Sequence, residues 1–344
     1  MHNFKVAVVI LNYNGQSFLE KFLPIVISNS KPHAVYVADN GSTDDSLNFL
    51  KTNYPEITVI NNEGNYGYAE GYNRALKYVD ADLFILLNND VEVTPNWIEP
   101  ISNLMQNNES IAACQPKLLD YKTKNTFEYA GASGGYIDKY GYPFCRGRVF
   151  NTVEEDKNQY NNSNEVFWAT GACLFVRAKS FWEVGGLDND YFAHMEEIDL
   201  CWRLKNLSYK IYVEPKSVVF HVGGGTLNKL STRKTFLNFR NNLITLTKNH
   251  PPKFLFFKII FRLILDGVAA FKFLFDGQPK HLFAVLRAHF SYYKNLPSTI
   301  RKRKVMKQKS GFKFDVSHMY RGNIVNEYFL KGRKTFIELR KGFF

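Results

Sequence analysis

The polar residues whose types and spacing could do chemistry fall in short clusters: Asn12-Tyr13-Asn14-Gly15, Asp39-Asn40-Gly41-Ser42, Asn65-Tyr66-Gly67, Asn88-Asn89-Asp90 and Glu196-Glu197-Ile198-Asp199, with His221 after an apolar run. Most follow segments that read as strands, and an open α/β sheet binds its ligand beyond the carboxyl ends of its strands. A dinucleotide needs G-x-G-x-x-G in the first strand-to-helix turn, where glycine lets the pyrophosphate approach the backbone. That turn is Asn12-Tyr13-Asn14-Gly15-Gln16, so a dehydrogenase reading loses its support. Cys114, Cys145, Cys173 and Cys201 form no C-x-x-C pair, so neither a zinc site nor a disulfide framework is indicated, and a reducing cytoplasm is the natural setting. Each cluster also has a plain structural reading. D-x-G-S makes a turn and a helix cap, Asn88 to Asp90 can cap a helix starting near Pro95, and Glu196 and Glu197 suit the first turn of a helix through its dipole.

The elements that must position these residues are legible in the hydrophobic pattern. Strands are expected near 5–11, 34–39, 57–60 and 82–88, alternating with helices near 16–28, 43–53, 67–79 and 95–107. This is the rhythm of a mostly parallel, Rossmann-like α/β sheet covered on both faces. Residues 120–165, rich in Gly, Asn, Lys and Tyr, read as an irregular excursion or hairpin insertion to which no chemistry is assigned. A second block follows: an apolar run at 172–176, helices near 178–184 and 195–206, and strands near 210–213 and 218–221. The run Val6 to Leu11 is too short for a signal peptide, and nothing marks the chain for export. The triplet Asn40-Gly41-Ser42 matches a glycosylation acceptor, which means little without a secretory route.

The series Leu11-Asn12-Tyr13-Asn14-Gly15, Asp39 to Asp44, Asn62 to Ala69, Leu86 to Glu92 and Glu196 to Arg203 resembles family 2 glycosyltransferases, especially rhamnosyltransferase-like members that build surface polysaccharides. The resemblance runs from about residue 5 to about residue 245, with the motifs in the family's order. It implies a GT-A fold and inverting transfer of a sugar from a UDP- or dTDP-activated donor to a glycan acceptor, lipid-linked in this reading. It further implies that Asp39 meets the pyrimidine base, with Asn12, Tyr13, Asn14, Asn40, Gly41 and Ser42 beside it. Asn65, Gly67, Asn73, Arg74 and Asn89 would line the nucleotide. Asp90 matches the second acid of the family's D-x-D motif and would hold a divalent cation, Mg²⁺ or Mn²⁺, on the diphosphate, with His221 and Asn88. Asn88 stands where the motif has its first acid and is a weaker, neutral ligand. By the pattern E-D-x-D-x-x-x-R, Glu197 would deprotonate the acceptor hydroxyl, with Glu196 a live rival. Gly171, Ala172 and Asp199 would border the acceptor, and a glycine run from Gly223 to Gly225 could close over the donor. His194 has no counterpart in the pattern.

The 344 residues are 45% hydrophobic and 16% aromatic, which excludes global disorder. Charge divides the chain: residues 229–344 hold 25 Lys/Arg against 5 Asp/Glu, while the preceding 228 residues hold 19 against 27. We therefore expect a transferase domain over 1–228, with its nucleotide part near 1–115 and acceptor part near 116–228, and a basic helical extension over 229–344. Between Phe254 and Phe275 the apolar run carries Lys258, Arg262, Asp266 and Lys272 within one 120° arc at 100° per residue. That stripe suits a helix lying in a membrane interface on the inner face of the cell membrane, with Arg301-Lys302-Arg303-Lys304 near anionic headgroups. An amphipathic helix packed on the enzyme's own body is the other reading. Nucleic acid could also meet such a tail, and a silent transferase-like scaffold is conceivable, but neither explains the carboxylate clusters, and no nucleic-acid partner is expected.

Overall fold

The computed structural model describes residues 4–223, 231–339, 342 and 344. Strands β1 (Val6–Asn12), β2 (Ala34–Asp39), β3 (Thr58–Asn61) and β4 (Leu83–Asn88) alternate with helices α1 (Gln16–Asn29), α2 (Ser46–Asn53) and α3 (Gly67–Ala75). β5 (Val91–Val93), α4 (Glu99–Gln106) and the long β6 (Ile111–Asp120) follow. The excursion after β6 contains β7 (Gly135–Asp138), β8 (Pro143–Cys145), β9 (Arg148–Val149) and β10 (Thr152–Val153). The chain returns through β11 (Asn164–Val166), β12 (Cys173–Arg177), α5 (Ala178–Glu183), α6 (Glu196–Asn206) and β13 (Lys210–His221). Helices α7 (Thr232–Asn249), α8 (Leu255–Phe275) and α9 (Pro279–Lys307) and the short β14 (Met319–Tyr320) complete it.

The main sheet runs β11-β13-β6-β12-β4-β1-β2-β3, with β5 paired to β13. Its β3-β2-β1-β4 half is parallel, and β12 runs antiparallel between β4 and β6. Because side chains alternate across a strand, Val8 and Ile10 pack with Leu19, Leu23 and Trp97 on one face, while Val9 packs with Tyr72, Phe84 and Trp202 on the other. Two strands expected at 210–213 and 218–221 are one strand, β13, whose register shifts between Glu214 and Val218. Pro215 lies in that gap and has no N–H to give the ladder. Of the two readings of the excursion the hairpin insertion holds: β7 to β10 form a second sheet of successive antiparallel pairs, and β14 from the far C-terminal region pairs parallel to β7. The expected boundary at 228/229 falls outside the described residues. Beyond it, the helices are packed onto the body.

The basic extension packs against the body at two places, one of them the docking of α8 that the sequence offered as an alternative. Lys302 pairs with Asp190 at 2.6 Å and with buried Asp188, and Arg303 donates to the carbonyls of Thr247 and Lys248. Half of the Arg301–Lys304 run therefore fastens α9 to the body, because Asp188, buried in its loop, requires counter-charge. Helix α8 docks by the Lys258, Arg262 and Asp266 part of its charged stripe, while Lys272 is exposed and pairs with Asp276. Arg262 and Asp266 are buried and paired at 2.8 Å, Arg262 stacks on Tyr142 at 3.7 Å, and Lys258 meets His250 at 2.7 Å. Its apolar side faces outward through Phe256, Phe257, Ile264, Val268, Phe271 and Phe275. Among the described residues, no helix is long and apolar enough to cross a membrane.

Candidate active site

A cavity of about 310 Å³ opens at the carboxyl ends of β1 and β4 and is closed by the start of α6. Tyr13, Asn40, Asn65, Gly67, Asn88, Asn89, Asp90, Gly171, Ala172, Glu196, Glu197 and His221 line it. Behind its nucleotide side runs a chain of amides. Asn89 donates to Asn12 at 2.8 Å, Asn12 donates to Asp39 at 3.2 Å, and Asp39 accepts from the Ser42 backbone and hydroxyl at 2.9 and 2.6 Å. Asp39 is fully buried, so this carboxylate, expected against a base, ties the ends of β1 and β2 together instead of lining the cavity. Asn14, at positive φ, accepts from Thr43 N at 2.7 Å and braces the same turn. Gly41 sits at φ 76°, where a Cβ would meet Gly64 Cα at 2.5 Å, so the two loops close on each other only with glycine.

Asn73 and Arg74, expected on the nucleotide, are turned elsewhere. The Asn73 amide donates to Leu187 O at 2.7 Å and accepts from Leu187 N at 2.9 Å, pinning the 185–189 loop. Arg74 pairs with Glu70 and lies 3.6 Å over the Tyr66 ring. Asp199 is also displaced. At 100° per residue it points 200° from Glu197, and it is buried against Arg203, Lys248 and Asn249 at 2.8, 2.8 and 2.7 Å rather than on the acceptor side.

Asn88, Asp90 and His221 do converge. His221 Nε2 is 3.1 Å from Asp90 Oδ1 and 3.5 Å from the Asn88 amide, and its Nδ1 is 3.3 Å from Glu128. Burial alone would lower the imidazole, but the Asp90 and Glu128 carboxylates on either side overrule it and raise it to about 10. Burial opposes ionisation of Asp90 as well, and His221 holds it below the usual carboxylate range. This donor set suits a divalent cation. The Asp90 carboxylate and the Asn88 carbonyl could ligate directly, whereas His221, protonated between Asp90 and Glu128, would ligate only once a cation displaced its proton. Among the described residues no three His, Cys, Asp or Glu side chains could enclose a metal. Phosphate oxygens and water would complete the sphere, the usual pattern for Mg²⁺. Glu128 lies in the excursion where sequence reasoning placed no chemistry, and no turn or periodicity marks it.

On the other wall, Glu196 is buried, and Oε2 of both Glu196 and Glu197 has no hydrogen-bond partner. Burial pushes Glu197 up to about 7, against the backbone N–H groups at the start of α6. Burial and the neighbouring Glu197 charge raise Glu196 well above the carboxylate range. Two carboxyls in one low-dielectric site do not both ionise. The pair therefore titrates as a unit, retaining one proton between Glu196 and Glu197 where isolated carboxyls would both be ionised. The approach to α6 is strained: Phe192, His194 and Met195 all have positive φ. Asn241 of α7 holds this loop by donating to the carbonyls of Tyr191, Ala193 and His194 at 3.1, 2.9 and 2.7 Å. Gly67, at φ 73°, makes room for it, since a Cβ there would meet Phe192 O at 2.4 Å. His194 lines the cavity with Nε2 unpartnered, and burial with the nearby Lys234 lowers it to about 4, leaving it neutral. The glycine run continues into residues 224–230, outside those described.

Comparison with known proteins agrees with this geometry. The Glycosyl transferase family 2 model matches residues 7–185, and the chain belongs to that family. It is a glycosyltransferase with a GT-A fold. It is 28% identical over 242 residues to the N-acetylglucosaminyl-diphospho-decaprenol L-rhamnosyltransferase of Mycobacterium tuberculosis, covering 64% of this chain and 77% of the relative. It is 24% identical over 226 residues to rhamnosyltransferase WbbL of Escherichia coli, covering 63% and 83%. The crystal structure of GalNAc-T7 with UDP, GalNAc and Mn²⁺ superposes with a TM-score of 0.56 at 16% identity, over 72% of this chain and about half (48%) of that one.

The paired carboxyls carry a stability cost with a defined sign. Each has a folded pKa above its unfolded value, so the stability present below about pH 4.5 is lost as pH rises through about 7. Glu196→Gln and Glu197→Gln should each raise the melting temperature by roughly 2 °C or more at pH 8 and change it little at pH 4.5. Equal shifts at both pH values in a thermal melt would contradict the assignment.

Proposed function

We propose that the chain transfers a sugar with inversion from a UDP- or dTDP-activated donor to a hydroxyl of a lipid-linked glycan. The names of its relatives favour a rhamnosyl group. The observation that carries this reading is one cavity holding the Asn88–Asp90–His221 shelf on one wall and the adjacent carboxyls of Glu196 and Glu197, each with an unpartnered Oε2, on another. Tyr13, Asn40 and Asn65 would hold the base and ribose, their loop kept in shape by Asp39. Glu197 takes the acceptor proton as the acceptor oxygen attacks the anomeric carbon opposite the diphosphate, whose oxygen leaves with the bonding pair. Glu196 and neutral His194 are placed to hydrogen-bond acceptor hydroxyls. Asp90 and His221, with Asn88 beside them, would hold a Mg²⁺ or Mn²⁺ that offsets charge on the leaving group.

The outward apolar side of α8 favours work at an anionic membrane surface, where a lipid-linked acceptor resides. Lys253 and Lys272 stand exposed near its two ends.

UDP or dTDP with Mn²⁺ should raise the melting temperature while NAD and ATP should not, and Asp90→Ala should abolish mainly the metal-dependent part. A loss equal with and without metal would remove the cation from the reading. In flotation with phosphatidylglycerol vesicles, the full chain should bind, and Phe257→Asp with Phe271→Asp should release it. Unchanged flotation would show that α8 is not the membrane face.

A further inference from the structure

A second concavity, about 720 Å³, lies between α7 and α9 beside the reaction cavity. Arg233, Arg240, Lys280 and Arg287 line it, and among the described residues none of its lining is acidic. Arg240 is fixed as a wall, donating to the carbonyls of Asp190 and Tyr191 at 2.9 and 3.0 Å. Arg233, Lys280 and Arg287 have no carboxylate partner among the described residues, although the same extension pairs Lys248, Arg262, Lys272 and Lys302. All three are exposed, and with no acid beside them they set up a positive potential that attracts an anionic ligand. The starts of α7 and α9 both open here, adding the positive ends of two long helices.

The rest of the lining is aromatic. Phe236 lies beneath Arg240 and Arg287, at 5.2 and 5.7 Å, and Phe283 stands exposed on the rim. From Phe283 the apolar stripe continues along α9 through Leu286 and Phe290, at i, i+3 and i+7. At the inner end, Phe192 and Arg233 line both this concavity and the reaction cavity. The ligand that fits has an anionic centre of more than one charge, an apolar chain leaving toward the exposed face, and a group entering the reaction cavity.

We propose that this groove seats the isoprenoid diphosphate of the acceptor. The diphosphate lies among Arg233, Lys280 and Arg287, the first isoprene units on Phe236 and Phe283, and the glycan passes Phe192 toward Glu197. This rests on the reading that the acceptor is a lipid-linked glycan and specifies where its lipid end is held.

The test uses the full chain and farnesyl diphosphate as probe, titrated calorimetrically with UDP and Mn²⁺ in excess, alongside inorganic pyrophosphate. The wild type should bind farnesyl diphosphate more tightly than pyrophosphate, and Lys280→Ala with Arg287→Ala should weaken it at least tenfold while leaving UDP affinity unchanged. Transfer to a glycan on an isoprenoid diphosphate should show KM raised at least tenfold with kcat kept, and transfer to the same glycan lacking the diphosphate should not change. Farnesyl diphosphate bound equally by both proteins, or not bound by the wild type, would overturn the proposal. Pyrophosphate bound as tightly as the lipid would likewise reassign the groove to a free anion. If the wild type transfers to no glycan at all, the functional reading fails, while the farnesyl diphosphate titration still decides the groove.

Discussion

Two adjacent carboxyls at the start of α6 must be held in a cavity where neither has a hydrogen-bonding partner for its second oxygen, and buried Asp199, on the same helix, anchors them there. Its carboxylate accepts from Arg203 on its own helix and from Lys248 and Asn249 at the end of α7. Lys248 also meets Asp188 at 2.5 Å, and Asp188 is in turn paired with Lys302 of α9. Buried charges are tolerated when paired and hydrogen-bonded on every side, and breaking one pair leaves the remainder uncompensated. The basic extension is therefore part of the active site's framework: it fixes α6, and through Asn241 it fixes the strained loop that delivers Glu196 and Glu197 to the cavity.

The nucleotide side follows a different logic. There, neutral amides and one carboxylate connect three strand ends from Asn89 through Asn12 to Asp39 and Ser42. A hydrogen-bonded chain of this kind costs little while fully satisfied and sets the loops before any ligand arrives. Asp90 and His221 stand at its edge, with Glu128 behind His221, so charge gathers where a diphosphate would lie.

How much of this was legible depended on whether the determining interaction is local. The strands β1 to β4 and the turns after them could be read from β-branched runs ending in Asn and Asp, because alternation and turn chemistry act over a few residues. Glu196 and Glu197 could be singled out together, but the burial that raises both carboxyls is not encoded in their spacing. The 120° stripe on α8 was visible, yet periodicity does not say which side docks. Tyr140, Tyr142 and Asn242, which receive Arg262, come from distant parts of the chain. Glu128 and Arg233 reach the cavity in the same non-local way. Asp39, Asn73 and Arg74 lie in the motif segments, but Asp39 and Asn73 bond to loops and Arg74 to Glu70 of its own helix rather than into the cavity.

The central claim is that Glu197, not Glu196, takes the acceptor proton, and single-turnover transfer by Glu197→Gln and Glu196→Gln tests it most directly. The account predicts a fall of roughly 10² to 10⁴ in the transfer rate for Glu197→Gln with nucleotide binding preserved, and a much smaller effect for Glu196→Gln. The reverse order, or transfer undiminished in both variants while nucleotide still binds, would contradict it.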